Sequence, residues 1–278
     1  PRTQNYTKRV IKHWIEEFKI DGFRWDLTKG FTQECTAGDD NCTNGYRADR
    51  VALLKSYADY SWSLDPTHYT IFEHLGTDAE EKEWANYRIS ESPSKGVMLW
   101  GKMTTQYSEA SMGYNGDLNW GSYQNRGWSQ PHLVTYAESH DEERLMYKNL
   151  NFGGSNGAYN ITNLSTALKR QEMAHALLIP IPGPKMIWQF GEVGYDISIF
   201  ACENGTINEN CKIDPKPILW NYLDNPDRVH LYKVTAALNH LKKNYQTFST
   251  TNYTTDLSNK GKRLILDGTT MDAVVVGN

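Results

Sequence analysis

An acidic residue, Asp26, closes a short apolar segment in a way that suits covalent chemistry. The segment is Asp-Gly-Phe-Arg-Trp-Asp (21–26), and Arg24 lies two residues before its end. Because side chains alternate along a strand, Arg24 and Asp26 are predicted to share one side, where the cation favours the ionised carboxylate. An ionised carboxylate is what a covalent glycosyl nucleophile requires. The same pair would also serve as a purely structural ion pair.

A second acid, Glu73, ends the apolar segment Tyr-Thr-Ile-Phe (69–72) and precedes His74. Its apolar neighbours are expected to raise its pKa and keep it protonated near neutral pH. That property suits a general acid that protonates a leaving oxygen. The segment therefore predicts an acid catalyst at the end of a second strand.

A third candidate is the pair His140-Asp141, which follows the apolar segment 133–138. The pair alone is weak evidence, because most such pairs are solvated loop residues. Its position strengthens it, since Asp26, Glu73 and Asp141 would all lie at the ends of parallel strands. Barrel enzymes build their active sites at that edge.

The elements that must position these acids follow from the spacing of apolar residues. Helices are predicted at 10–18, 47–62, 78–88, 163–179 and 227–243, and strands at 19–27, 69–73, 97–100, 133–138 and 185–190. This alternation predicts an α/β fold with a parallel sheet and helical crossovers. The chain contains no GxGxxG or GxxxxGK[ST] segment, which favours a (β/α)8 TIM barrel with five strands present over a doubly wound sheet. The tail 261–278 predicts two short antiparallel strands around an Asp-Gly turn.

Composition excludes several classes of function. The chain has 29 basic and 33 acidic side chains, so we expect no nucleic-acid partner. No apolar run approaches the roughly 20 residues of a membrane span, so we expect no membrane partner. Its 34 aromatic residues (9 Trp, 17 Tyr and 8 Phe) suit either a core or a surface that binds sugar faces.

Four cysteines lie in two local pairs within polar loops, Cys35 with Cys42 and Cys202 with Cys211. This spacing favours two loop disulfides over zinc, because no CxxC and no nearby histidine completes a tetrahedral set. Disulfides indicate an oxidising compartment, so we expect a secreted, extracellular protein. The chain begins on the approach to a helix, and we expect an upstream part to be missing.

Three segments resemble conserved segments of the α-amylase family, glycoside hydrolase family 13: GFRWDLTKG, IFEHLG and ESHDEER. KMIWQFGEVGYD is similar to the family's eighth strand and the loop after it. The resemblance implies that Asp26 is the nucleophile, with Arg24 beside it, and that Glu73 is the general acid/base. It also implies that His140 and Asp141 bind sugar hydroxyls and stabilise the distorted substrate.

The resemblance covers residues 6–245 and implies a catalytic domain, 1–245, that holds roughly strands 4–8 of the barrel. It implies that 246–278 begins an antiparallel C-terminal β-sandwich. The family's first segment, with its Asp, Asn and His at the third strand, is absent here, as are the first three strands. A missing N-terminal half of the barrel is therefore an expected partner.

This chain departs from the family pattern in two features that concern ligands. The family usually has Lys-His shortly after the nucleophile, whereas this chain has Lys29-Gly30. Lys29 keeps its expected sugar contact, and the missing His weakens one reducing-end contact. The family's calcium site uses residues before this chain and a carbonyl near Gly30, so a structural calcium remains open and its ligands unknown. For the cluster 39–41, a solvated loop is favoured over a cation site. The chemistry requires no cofactor.

Further substrate-binding candidates are His74, beside the acid, and the aromatic residues Trp100 and Tyr107, near the end of a strand. Packing within the loop is an equal alternative for each aromatic residue.

The resulting hypothesis is a retaining glycosidase that cleaves α-1,4-linked glucans, starch or maltooligosaccharides. We predict carboxyl oxygens of Asp26 and Glu73 roughly 5 to 6 Å apart, the retaining geometry. The alternatives within the family are a transglycosylase, a branching enzyme and an exo-acting α-glucosidase. From other classes, they are a non-catalytic sugar-binding homologue and a half-barrel that is inactive by itself.

Overall fold

The computed structural model describes residues 2–278. Its contacts divide the chain into two compact units. The first comprises the residues up to Gly101 together with Tyr123–Val134, and the second comprises Lys102–Ser122 and Thr135–Asn278. The predicted acids Asp26 and Glu73 therefore lie in the first unit.

In the first unit, helices alternate with parallel strands. Its elements are α1 (Arg2–Phe18), β1 (Gly22–Trp25), α2 (Asp40–Asn44), α3 (Ala48–Leu64), β2 (Tyr69–Phe72), α4 (Asp78–Ala85), most of β3 (Met98–Lys102) and the start of β4 (Leu133–Tyr136). The amphipathic pattern of α1 buries Ile11 and Ile15, the stripe that the sequence predicts.

Successive side chains of β1 point to opposite sides of the sheet, as in any strand. It pairs in parallel with β2, and Trp25 lies opposite Phe72. The indole of Trp25 stacks on the ring of Tyr57 in α3, with centroids 5.2 Å apart and an interplanar angle of 5°. Trp25 thus faces the helices, and Arg24 and Asp26 project from the other side of the strand.

The second unit contains the remaining helices and strands. They are α5 (Thr104–Ser111), the end of β4, α6 (Leu145–Phe152), β5 (Ser155–Asn156), β6 (Tyr159–Asn160), α7 (Leu164–Leu178), β7 (Lys185–Met186), α8 (Pro226–Asn244), β8 (Tyr253–Asp256), β9 (Lys262–Leu266) and β10 (Ala273–Gly277). Its core contains a buried cluster from α6, α7 and α8: Met146, Ala167, Leu168 and Leu231. The side chain of Asn225 caps α8 by accepting two backbone hydrogen bonds from its first turn.

The parallel sheet has the strand order β1-β2-β3-β4-β7. Within the first unit, the amide of Leu99 donates to the carbonyl of His132 at 2.9 Å. Within the second unit, Thr135 of β4 lies opposite Lys185 of β7. The five predicted strands are confirmed, and the architecture is part of a (β/α) barrel followed by a small antiparallel region.

The antiparallel region has the order β10-β9-β8. The two predicted tail strands are β9 and β10, whereas β8 was not predicted. The helices α5 and α6 were not predicted either, because each has only eight residues, and apolar periodicity is a reliable helix signal only over longer windows. The predicted domain boundary between residues 245 and 246 remains a prediction.

Both cysteine pairs form the predicted disulfides, Cys35–Cys42 in the first unit and Cys202–Cys211 in the second. Each closes a short polar loop.

None of the helices found over residues 2–278 has the length and apolar character needed to cross a bilayer.

Candidate active site

One guanidinium binds both of the predicted catalytic acids. Nη1 of Arg24 donates to Oδ1 of Asp26 at 2.6 Å, and Nη2 donates to Oε2 of Glu73 at 2.5 Å. The guanidinium also lies over the indole of Trp100, 4.3 Å from the ring centroid. The parallel pairing of β1 with β2 explains this arrangement, because it brings the ends of both strands to the same edge.

The two acids have different surroundings. The side chain of Asp26 is 77% exposed, whereas that of Glu73 is 8% exposed. Burial raises the pKa of Glu73, and the hydrogen bond and charge of Asp26 raise it further. The amide of Leu27 and the charge of Arg24 oppose this shift, but the net direction is upward. A pair of carboxyl groups in such unlike environments suits one acid and one nucleophile.

The turns that follow the two strands have unusual backbone conformations. Leu27 has φ 41° and Leu75 has φ 52°, left-handed values that non-glycine residues rarely adopt. In this conformation the amide of Leu27 donates to Oε2 of Glu73 at 3.2 Å. The amide of Thr28 donates to the carbonyl of Glu73 at 2.9 Å. The turn after β1 therefore covers the acid at the end of β2.

In the second unit, His140 and Asp141 follow β4. Nε2 of His140 lies 3.3 Å from Oδ2 of Asp141, and Nζ of Lys212 lies 2.8 Å from Oδ1. The imidazole of His140 also packs near the indole of Trp188, with centroids 5.8 Å apart. Asp141 is 47% exposed, so its carboxylate can still be reached by hydroxyl groups of a ligand.

Two residues near this pair were not singled out from the sequence. Lys212 comes directly after Cys211, and the disulfide that closes its loop is the only signal that could have drawn attention to it. Glu138 is fully buried, and burial raises its pKa to about 7. The amide of Leu145 donates to Glu138 at 2.8 Å, so this carboxyl also caps the start of α6.

Two of the side chains that were predicted to contact sugar are buried in the structure. Tyr107 is fully buried, and its hydroxyl donates to the carbonyl of Leu177 at 3.0 Å. His74 is also fully buried, between Thr28 and Glu80. Neither side chain has surface for a ligand, because Tyr107 packs against α7 and His74 packs between the turn after β1 and α4.

The other predicted binding residues lie near the acids. Lys29 is half-buried, and its Nζ donates to Oδ1 of Asn44 at 3.2 Å. Trp100 is 7% exposed beneath the guanidinium of Arg24. Its indole therefore supports the guanidinium of Arg24.

The carbonyl next to Gly30 already has a cationic partner within the chain. The carbonyl of Lys29 accepts from Nη1 of Arg50 at 2.6 Å, so a cation of the protein itself already binds this oxygen. In the cluster 39–41, the side chain of Asp39 caps α2 by accepting from the amide of Cys42 at 2.9 Å. That carboxylate therefore serves the loop, as the solvated-loop interpretation expects.

Comparison with known proteins gives a clear result only at the level of structure. No protein-family model matches the chain, and no curated protein matches it. Solved structures do match, among them the cyclic α-maltosyl-(1→6)-maltose hydrolase from Arthrobacter globiformis, with 14% identity and a TM-score of 0.63. AmyP in complex with maltose has 15% identity and a TM-score of 0.63. The α-amylase from Geobacillus thermoleovorans complexed with acarbose has 14% identity and a TM-score of 0.63.

Each match covers 99% of this chain but 52%, 57% and 52% of the other chain, respectively. The chain thus spans about half the length of these structures. The neighbours are α-amylase-family enzymes of glycoside hydrolase family 13. At this level of identity, the likeness shows that the chain has the fold of that family's catalytic barrel, over about half of its length.

Proposed function

We propose that this chain carries the nucleophile and the acid/base of a retaining glycosidase that cleaves α-1,4-glucosidic bonds in starch or maltooligosaccharides. The observation that carries the proposal is the single guanidinium of Arg24 on both Asp26 and Glu73, with one acid exposed and the other buried. The likeness to α-glucan hydrolases supports the same reaction class.

In the proposed reaction, a carboxylate oxygen of Asp26 attacks the anomeric carbon of the sugar. The bond from that carbon to the leaving oxygen breaks, and Glu73 transfers its proton to that oxygen. A covalent glycosyl-enzyme results. Glu73, now a carboxylate, takes a proton from water, which attacks the anomeric carbon and releases Asp26. Two inversions give net retention of configuration.

In this proposal, four further residues of the chain support the two acids. Arg24 holds the two carboxyl groups beside each other by donating to both of them. His140 and Asp141 bind sugar hydroxyls, and Lys29 reaches a further sugar. These steps need no cofactor.

The proposal concerns the full-length natural protein. The chain spans about half of its structural neighbours, and we propose that an N-terminal half-barrel completes the site. The two disulfides support the proposal of a secreted protein, because such bonds persist in oxidising compartments.

The test uses maltooligosaccharides as substrates. Proton NMR identifies the anomer of the product, and mass spectrometry identifies the labelled residue. We expect the α-anomer first, a covalent label on Asp26 from a 5-fluoro-glucosyl fluoride, and loss of both in Asp26→Asn. Asp21→Asn, an exposed acid at the start of the same strand, is the matched control and should retain activity. Initial release of the β-anomer, or full activity of Asp26→Asn, would refute the mechanism. Longer products in place of hydrolysis would indicate a transferase.

A further inference from the structure

A buried set of four side chains lies behind the two acids, and we call it the clamp: Thr28, His74, Glu80 and Arg50. All four residues are fully buried, with 0% of their surface exposed. They come from the turn after β1, the turn after β2, α4 and α3, respectively. None of them can touch a substrate.

The clamp connects the acid Glu73 to α4 through three contacts. The hydroxyl of Thr28 donates to the carbonyl of Glu73 at 3.1 Å and lies 3.2 Å from Nδ1 of His74. On the other side of the ring, Nε2 of His74 lies 2.6 Å from Oε2 of Glu80. The imidazole therefore lies between Thr28 and Glu80, with one ring nitrogen next to each of them.

Glu80 is in turn fixed by Arg50. Nη2 of Arg50 donates to Oε2 of Glu80 at 2.7 Å, and Nε donates to Oε1 at 3.0 Å. Burial would raise the pKa of Glu80, but hydrogen bonds from His74, Arg50 and the amide of Arg47 outweigh it and the pKa is lowered. Glu80 is thus a fixed buried anion.

The same guanidinium closes the loop that follows the nucleophile. Nη1 of Arg50 donates to the carbonyls of Lys29 and Thr43 at 2.6 and 2.8 Å, and Nη2 donates to the carbonyl of Gly45 at 2.5 Å. Three carbonyls of one loop and a carboxylate of α4 therefore converge on one cation. Such a network is rigid only while every member keeps its partner.

The turns that the clamp joins are those with left-handed leucines, Leu27 and Leu75. Such conformations persist only where the surrounding structure determines them. One further residue is adapted to the clamp: a Cβ at Gly76 would lie 2.7 Å from Nε2 of His74. Glycine at this position leaves room for the imidazole.

We infer that Thr28 and His74 are positioning residues, which hold the carboxyl of Glu73 where it can protonate the leaving oxygen, with Glu80 and Arg50 as their anchor. The inference rests on the proposed function. It assigns to His74 a role through the backbone of Glu73, in place of the sugar contact predicted from the sequence.

The test uses the full-length protein and the substitution Thr28→Val, which removes the hydroxyl and keeps the size of the side chain. Thr28→Ser, which restores the hydroxyl, is the matched control. A second variant, Gly76→Ala, displaces the imidazole without changing any member of the clamp. Thermal melts establish that each variant is folded.

The readout is kcat/KM for maltotriose and for α-maltotriosyl fluoride, whose fluoride leaves without protonation by an acid. We expect Thr28→Val and Gly76→Ala to lose about 10- to 100-fold on maltotriose, as for a misplaced catalytic group. On the fluoride we expect less than about a threefold loss, because that step does not need the acid. Thr28→Ser should stay within about threefold of the wild type on both substrates.

An unchanged ratio between the two substrates would overturn the inference, whether both rates stay at the wild-type level or fall together. A wild-type protein that turns over neither substrate would instead refute the proposed function, and the inference with it. The two failures are therefore distinguishable by the wild-type control alone.

Discussion

The substitution Glu80→Gln should destabilise the protein severely while changing only a few atoms. Both oxygens of Glu80 accept hydrogen bonds: Oε1 from the amide of Arg47 at 2.6 Å and from Nε of Arg50, and Oε2 from Nη2 of Arg50. Whichever oxygen becomes an NH2 group, two donors then face each other. The charge of Arg50 also loses its only carboxylate among these contacts, because its other partners are carbonyls.

The size of the effect follows from burial. The side chains of Arg50 and Glu80 are both 0% exposed, and removal of one partner from such a buried pair typically costs about 3–5 kcal/mol. For a chain of this size, 1 kcal/mol corresponds to about 2–4 °C in Tm. We therefore expect Glu80→Gln to lower the Tm by about 6–20 °C.

The matched control is Glu83→Gln, three residues along the same helix. Glu83 pairs with Lys55 at 2.5 Å, but the two side chains are 37% and 22% exposed. An exposed pair of this kind contributes only about 0–1 kcal/mol. Thermal melts followed by circular dichroism compare the two variants with the wild type. A Tm loss in Glu80→Gln no larger than that in Glu83→Gln would refute the reasoning.

The pH dependence supplies an independent check with a defined sign. The folded pKa of Glu80 is lowered from the ordinary 4.5, so its ionisation stabilises the fold above the unfolded pKa. That contribution is lost as the pH falls through the folded pKa. The Tm difference between wild type and Glu80→Gln should therefore be constant near neutral pH and should narrow as the pH falls below the ordinary value of 4.5.

The remaining predictions concern the charges at the site and one loop. Because the charge of Asp26 raises the pKa of Glu73 and that of Arg24 lowers it, Asp26→Asn should lower this pKa and Arg24→Met should raise it. A carbon-13 NMR titration of Glu73 measures both, and shifts in the opposite directions would contradict the electrostatic account. Replacement of the disulfide-bonded Cys202 and Cys211 by serine should cost about 2–3 kcal/mol, since the closed loop is short. Chemical denaturation measures this cost, and an unchanged midpoint would show that the loop is constrained by other contacts.

The parallel sheet could be predicted from the sequence because its strands are short runs of mostly buried apolar residues between turn signals. The element β4 is the clearest case, with every residue from Leu133 to Tyr136 buried. Local polar elements could not be predicted in the same way. The strand β8 reads Tyr-Thr-Thr-Asp, and only its pairing with β9 distinguishes it from a loop.

The arrangement of Arg24 and Asp26 on one side of a strand could also be predicted, because it depends only on alternation within six residues. The clamp could not, since Glu80 and Arg50 are 30 residues apart and their contact depends on how α3 packs against α4. One local signal was present. Arg50 shares the buried stripe of α3 with Leu54 and Tyr57, and a charge at an apolar position of a helix requires a buried partner.

The difference in burial between Asp26 and Glu73 follows from the hydrogen bonds of the turns after them, because only the turn after Asp26 donates to the other acid. Asp26 and Glu73 end neighbouring parallel strands, so the sheet alone would treat them alike. The turn after Asp26, however, folds back over β2 and donates the amides of Leu27 and Thr28 to the side chain and carbonyl of Glu73. The turn after Glu73 does not cover Asp26 in the same way, because His74 points inward to Glu80. The turn thus helps to bury Glu73, and this burial raises its pKa although the amide of Leu27 opposes the shift. Asp26 stays exposed, so one turn separates the environments of the proposed acid and the proposed nucleophile.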